Sequence, residues 1–243
     1  MSSEVKGSPD WTRQCSVGPQ WRTLPNGQIE VEGMGVPLAA AGGYRDDAGF
    51  MAKTWAAHAD RLQTFADKHG VPVTWALAIM TIESGGKMIP FVSPGVGGLM
   101  ATMIPAASAG LGRQATKEDL QDEDTSTDAG IGFMKVQANN FGWELPTIAA
   151  SYNAGSPKCS PVSRCHGYVD GSWTSDGTTA DTSMGMVEDC TAGRTSGYAL
   201  RAVEVNNLAI EQGIGGSVGG SMLNWGLFGL SLVLGYLAAD AVL

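Results

Sequence analysis

A mainly α-helical fold is what this 243-residue sequence predicts, on three observations. Apolar residues recur at helical spacing in several stretches, those stretches are bounded by capping or breaking residues, and strand-like alternation is scarce. Hydrophobic residues make up 43% of the chain, enough for a packed core, and its 34 glycines follow no Gly-X-Y period, so collagen, coiled coil and bulk disorder are excluded. Only 16% of residues are charged and the net charge is −9. That balance argues against a nucleic-acid partner, because binding phosphates needs a basic face that displaces counterions.

Residues 1–46 show no sustained period and read as an irregular N-terminal arm, although Trp11, Trp21, Ile29, Val31 and Leu38 are apolar enough to pack on something. From Asp47 to Lys68, the residues Met51, Trp55, Leu62, Phe65 and Ala66 form one helical stripe ended by Gly70. Thr74 is the expected N-cap of a second helix, WALAIMTIES, apolar on nearly every side and therefore central. Residues 85–112 read as a Gly- and Pro-rich turn region around LMATMIPAAS. Thr116 and Asp119 then make a capping-box start for a short acidic helix. Further helices are expected over Asp128–Asn140, Pro146–Ala154 and Tyr198–Glu211. The main domain thus runs over 47–212, with a Ser/Thr/Gly-rich insertion at 159–197.

Beyond it, 213–221 reads as a flexible Gly-rich hinge and 222–243 as an apolar C-terminal helix. Met222 to Ala239 carries no charge, and as a helix it would extend about 27 Å, close to a bilayer's hydrocarbon thickness, with Trp225 and Tyr236 near its ends. A membrane span is expected there, with burial against partner subunits as the alternative. The N-terminus, MSSEVKGSPDW, does not look like a secretory leader. Four cysteines, Cys15, Cys159, Cys165 and Cys190, permit two disulfides in three pairings or free buried thiols. A zinc site from Cys159, Cys165, His166 and Cys190 has a spacing that matches none of the usual structural patterns.

Glu83 stands out because the thirteen residues before it, Gly70 to Ile82, hold no other charge. Burial and the negative end of a helix dipole both oppose ionisation of a carboxyl placed there. An acid still protonated near neutral pH can donate to a glycosidic oxygen. The plainer alternative is the exposed last turn of a core helix.

The pattern around Glu83 favours the first reading. E-S at Glu83 and Ser84 is followed by S-P at Ser93 and Pro94, G-L-M at Gly98, Leu99 and Met100, G-x-x-F-M at Gly130 to Met134, and A-x-Y-N-A-G at Ala150 to Gly155. Fifteen residues separate Glu83 from Gly98. In this order and spacing the motifs resemble the lytic transglycosylase family, the soluble-lytic-transglycosylase catalytic domain with a goose-type-lysozyme-like fold. The resemblance covers roughly residues 68–155, with a weaker stretch at 195–210, and implies a lysozyme-like domain acting on peptidoglycan glycan strands without metal or cofactor.

By that resemblance Glu83 is the general acid that protonates the oxygen between N-acetylmuramic acid and N-acetylglucosamine. It then serves as base for the sugar's own C6 hydroxyl, which closes a 1,6-anhydro ring. One carboxyl suffices, because the nucleophile is intramolecular. Ser84 would be the helix-end hydroxyl beside the acid, or alternatively a cap for the next turn. Gly98, Leu99 and Met100 would form the turn whose backbone approaches the sugar, with glycine leaving room. Tyr152 and Asn153 would be a groove pair, or alternatively a helix cap, and Tyr198 matches the family's late tyrosine.

Four departures stand out. Ala101 replaces the family glutamine, leaving Thr102 as the nearest polar side chain; Pro105 comes one residue late; Phe133 lacks a tyrosine hydroxyl; and Asp122, Glu123 and Asp124 read as a solvated acidic face. The termini suggest a phage virion or tail component that opens the wall during genome entry and contacts a membrane and other virion proteins. A tail-anchored bacterial envelope enzyme is the alternative setting. A hydrolytic muramidase and a non-catalytic glycan-binding virion protein are the alternative functions.

Overall fold

The computed structural model describes residues 21–40, 46–92, 95–154 and 194–215. All four cysteines, His166, residues 155–193 of the insertion region and the tail at 222–243 lie outside them, so the disulfide, zinc and C-terminal helix expectations do too. Among the described residues no helix is long and apolar enough to cross a membrane.

Part of the arm expected to be irregular is a β-hairpin, β1 (Trp21–Thr23) against β2 (Ile29–Val31), antiparallel with Trp21 opposite Val31. Its period escapes notice because each strand has only three residues. Helix α1 (Asp47–His69) is N-capped by the Asp46 carboxylate on the Gly49 amide and closed by Gly70 in the left-handed region, with Met51, Leu62 and Ala66 buried. Helix α2 (Val73–Ser84) begins one residue before the expected Thr74 cap: the Pro72 carbonyl accepts from Trp75, and Thr74 is buried inside the first turn. Val73 to Thr81 are all buried, so α2 is the central helix its even apolarity implied.

The segment expected to be turns alone holds a small antiparallel sheet, β3 (Ile89–Val92), β4 (Val96–Gly98) and β5 (Thr102–Met103), followed by α3 (Ile104–Leu111). Strands of two to four residues, two of them glycine-containing or proline-containing, leave no alternation to read. Thr116 and Asp119 form the expected capping box at the start of α4 (Lys117–Gln121). Helix α5 (Glu123–Phe141) starts five residues before expectation, because Asp122 caps it by accepting from the Thr125 amide. The acidic run is therefore a helix start rather than only a solvated face, and its Glu123 and Asp124 pair with Arg61 of α1 at 2.9 and 2.6 Å.

Helices α6 (Leu145–Ala154) and α7 (Arg194–Glu211) complete the set, with α7 absorbing the last residues assigned to the insertion. Helix α2 packs against α1 and α7, α6 packs against α5 and α7, and α3 crosses α5 closely. After α7, Gly213 adopts φ 78°, and Ile214 is buried with its amide on the Ala209 carbonyl. Residues 213–215 are thus docked rather than a free hinge; 216–221 lie outside the described residues.

The hairpin is fastened to α7 by two buried side chains, Asn206, which donates to the Gly27 carbonyl at 3.3 Å, and above all Asn207. Asn207 accepts from the Ile29 amide at 2.6 Å and donates to the Ile29 and Pro37 carbonyls at 2.8 and 2.9 Å, as a neighbouring strand would.

Candidate active site

Glu83 occupies the penultimate position of α2, whose left-handed end at Gly85 (φ 61°) turns the chain away. Helix α2 thereby carries its carboxyl from the core to the end where α6 and α7 also deliver side chains. The Tyr198 hydroxyl of α7 donates to Glu83 Oε1 at 2.6 Å, across 115 residues of sequence. Burial pushes the Glu83 carboxyl up to about 7, opposed by the Tyr198 hydrogen bond and by the positive charge of Arg201. The residue as a whole is half-buried, while its carboxyl is enclosed by protein. Burial, followed by the neighbouring Glu83, holds the Tyr198 phenol well above its ordinary value, so it stays a donor.

Ser84 ties this helix end to the turn that follows β4. Its hydroxyl donates to the Leu99 carbonyl at 2.5 Å and accepts from the Gly86 amide at 3.1 Å. Both proposed roles are visible in one group: it caps the chain after α2 and stands beside the acid.

Gly98, Leu99 and Met100 form that turn, and the packing gives the glycine a reason other than room for a sugar. Gly98 has φ 86°, and a Cβ there would stand 2.6 Å from Ser126 Cβ on α5. Leu99 and Met100 have buried side chains, while their carbonyls receive the Ser84 and Tyr152 hydroxyls. Ala101 closes the turn at φ 47°, a conformation that costs an alanine what it would not cost a glycine.

Tyr152 of α6 donates to the Met100 carbonyl at 2.9 Å and lies 3.1 Å from the Thr102 hydroxyl. Its ring meets Phe133 of α5 in a tilted contact with centroids 5.5 Å apart. Thr102, expected as the nearest polar replacement for the missing glutamine, is 2% exposed and committed to Tyr152. It braces the site from within. Asn153 is exposed on the last turn of α6.

The structure thus brings Glu83, Ser84, Tyr152, Tyr198 and the 98–100 backbone together from α2, α6, α7 and one turn. Two charged residues escaped the sequence reading. Arg201 makes a paired contact with Asp47, Nε to Oδ2 at 2.8 Å and Nη2 to Oδ1 at 2.7 Å. The one available signal was spacing: Arg201 is three residues after Tyr198, so both lie on one face of a helix. A surface hollow beside α1, lined by His58, Arg61, Thr64, Phe65 and Asp124, shares no residue with this constellation. Among the described residues no group of three or more His, Cys, Asp or Glu side chains could hold a metal ion.

Glu83 is thus an enclosed acid with a tyrosine donor, at the end of the central helix of a mainly helical domain. Residues 61–164 match the model of the Transglycosylase SLT domain. A crystal structure of an inactive glutamate-to-glutamine mutant of lytic transglycosylase Slt from Pseudomonas aeruginosa is similar at 20% identity and a TM-score of 0.45, covering 65% of this chain. The match spans 24% of that protein's chain. No curated protein matches.

Proposed function

We propose that this chain is a peptidoglycan lytic transglycosylase that cleaves the β-1,4 bond between N-acetylmuramic acid and N-acetylglucosamine and closes a 1,6-anhydro ring. The observation that carries the reading is the state of Glu83: its carboxyl is raised to about 7 by burial and held by Tyr198 at 2.6 Å, on a residue that is half-buried. Such a group holds a proton near neutral pH and can release it to a leaving glycosidic oxygen. Once ionised, the same carboxylate takes the proton of the C6 hydroxyl as that oxygen attacks C1. The attacking group is part of the sugar already bound, so no water need be positioned. The Leu99 and Met100 carbonyls are held by Ser84 and Tyr152, which keeps the turn beside the acid rigid while a glycan strand is seated.

Mass spectrometry of digested peptidoglycan tests the reaction, since the anhydro product lacks one water relative to a hydrolysed end. Wild-type protein is expected to release anhydro-muramic ends, and Glu83→Gln to lower turnover at least about a thousandfold. Reducing muramic ends alone would show a hydrolytic muramidase instead. One observation favours a glycan-binding protein without turnover: Ala101 offers no side-chain donor and the Thr102 hydroxyl is already engaged. Equal, poor clearance by wild type and Glu83→Gln, with both still binding glycan, would establish that reading.

The setting we propose is a phage virion, with the enzyme opening the wall locally during genome entry and the apolar segment 222–243 entering a membrane. Its support is the uncharged run from Met222 to Ala239. A bacterial envelope enzyme anchored by the same segment is the alternative.

A further inference from the structure

Glu83 faces a cation, and a bare cation there would work against proton donation. Arg201 lies one turn beyond Tyr198 on α7, and its charge favours ionised Glu83. The guanidinium is not bare, because Asp47 holds it through two parallel contacts of 2.7 and 2.8 Å. Asp47 is 6% exposed and opens α1, where the positive end of the helix dipole favours a carboxylate.

Taking Glu83 as the acid of the reading above, we infer that Asp47 and Arg201 are a positioning pair for it: Arg201 anchors the Tyr198 face of α7 to α1, and Asp47 cancels its charge so that Glu83 keeps its proton. Neither residue touches the reacting atoms. The pair joins the start of α1 to the face of α7 that bonds the end of α2.

The other charged and titratable groups around Glu83 are few. Tyr198 comes from α7 and Tyr152 from α6, both held neutral by burial. Glu204 of α7 is half-buried one turn beyond Arg201, and its carboxyl is raised by burial and by Asp47. His58 of α1 is engaged with the Gly86 carbonyl and Arg61, and Lys87 is exposed. Beyond burial and the Tyr198 hydrogen bond, the charge acting on Glu83 is that of Arg201, which Asp47 offsets.

Opposite substitutions should move Glu83 in opposite directions. Asp47→Asn leaves Arg201 uncompensated and lowers the Glu83 midpoint, whereas Arg201→Met removes the cation and raises it, each by about half a pH unit or more. The double variant returns the midpoint toward the wild-type value. The readout is the carboxyl titration of ¹³C-glutamate-labelled full-length protein, with the Glu83 resonance assigned by its loss in Glu83→Gln. The basic limb of the kcat/KM profile on peptidoglycan should shift in parallel. If Arg201→Met is too unstable to titrate, the double variant decides alone, since its midpoint must lie above that of Asp47→Asn. Midpoints that stay put, or that move the same way in both single variants, overturn the inference. The titration needs no turnover, so an active Glu83→Gln protein would defeat the enzymatic reading while the midpoints still judged the pair.

Discussion

Glu83 is held in a state that the folded chain must maintain at its own expense. Its ordinary value of 4.5 is raised to about 7, so the folded protein binds this proton more tightly than the unfolded chain does. Stability from this group is therefore fully present below pH 4.5 and is lost as pH rises through 7. That interval corresponds to a loss of about 3 kcal/mol in the alkaline range. Glu83→Gln, which cannot ionise, should recover most of it at pH 8 and little at pH 4.5. Chemical denaturation of both proteins at the two pH values measures this, and equal stabilities at pH 8 would contradict the enclosed state of the carboxyl. Glu83→Gln, the variant proposed to lose turnover, is thus expected to be the more stable protein at neutral to alkaline pH.

Among the elements, the crossing of α3 over α5 sets where the sheet and its turn sit relative to Glu83. Gly110 and Gly132 let the two backbones touch: a Cβ at Gly110 would stand 2.0 Å from the Ala129 carbonyl, and one at Gly132 would stand 2.3 Å from the Gly110 carbonyl. No rotamer change relieves a clash with backbone. Gly110→Ala should therefore force the helices apart and cost roughly 2–4 kcal/mol, read by denaturant unfolding. Gly112→Ala, where nothing lies within 4 Å, separates this crowding from backbone strain, since its only cost is that of φ 65°. Every helix but α3 was legible in the sequence, because stripes such as Met51, Leu62 and Ala66 and caps such as the Thr116–Asp119 box act within one or two turns. The strands β1 to β5 were not, since pieces of two to four residues are made by their partners and not by their own pattern.

At the scale of the whole molecule, the described domain and the apolar segment after it make separate demands. If 222–243 enters a membrane, full-length protein should partition into a detergent phase, and deletion from Gly216 onward should move it to the aqueous phase. Full-length protein that stays aqueous without detergent would leave burial in an oligomer as the fate of that segment. Cutting after Gly215 matters, because Ile214 is part of the core and Gly215 packs on Thr74.

By itself the sequence determined the order of the helices other than α3, the central place of α2 and the glutamate at its end, since these follow from periodicity and caps that act over a few residues. It also carried, in the spacing of Glu83, Gly98 and Tyr152, the resemblance on which the functional reading began. Only the tertiary structure decided which partners meet that glutamate. Tyr198 reaches it across 115 residues and Arg201 finds Asp47 across 154, distances over which no local pattern constrains pairing. The same packing assigned Gly98 to the face of Ser126 and Thr102 to Tyr152. A carboxyl raised to about 7 at this site is thus a property of enclosure, which exists only once α1, α2, α6 and α7 have come together.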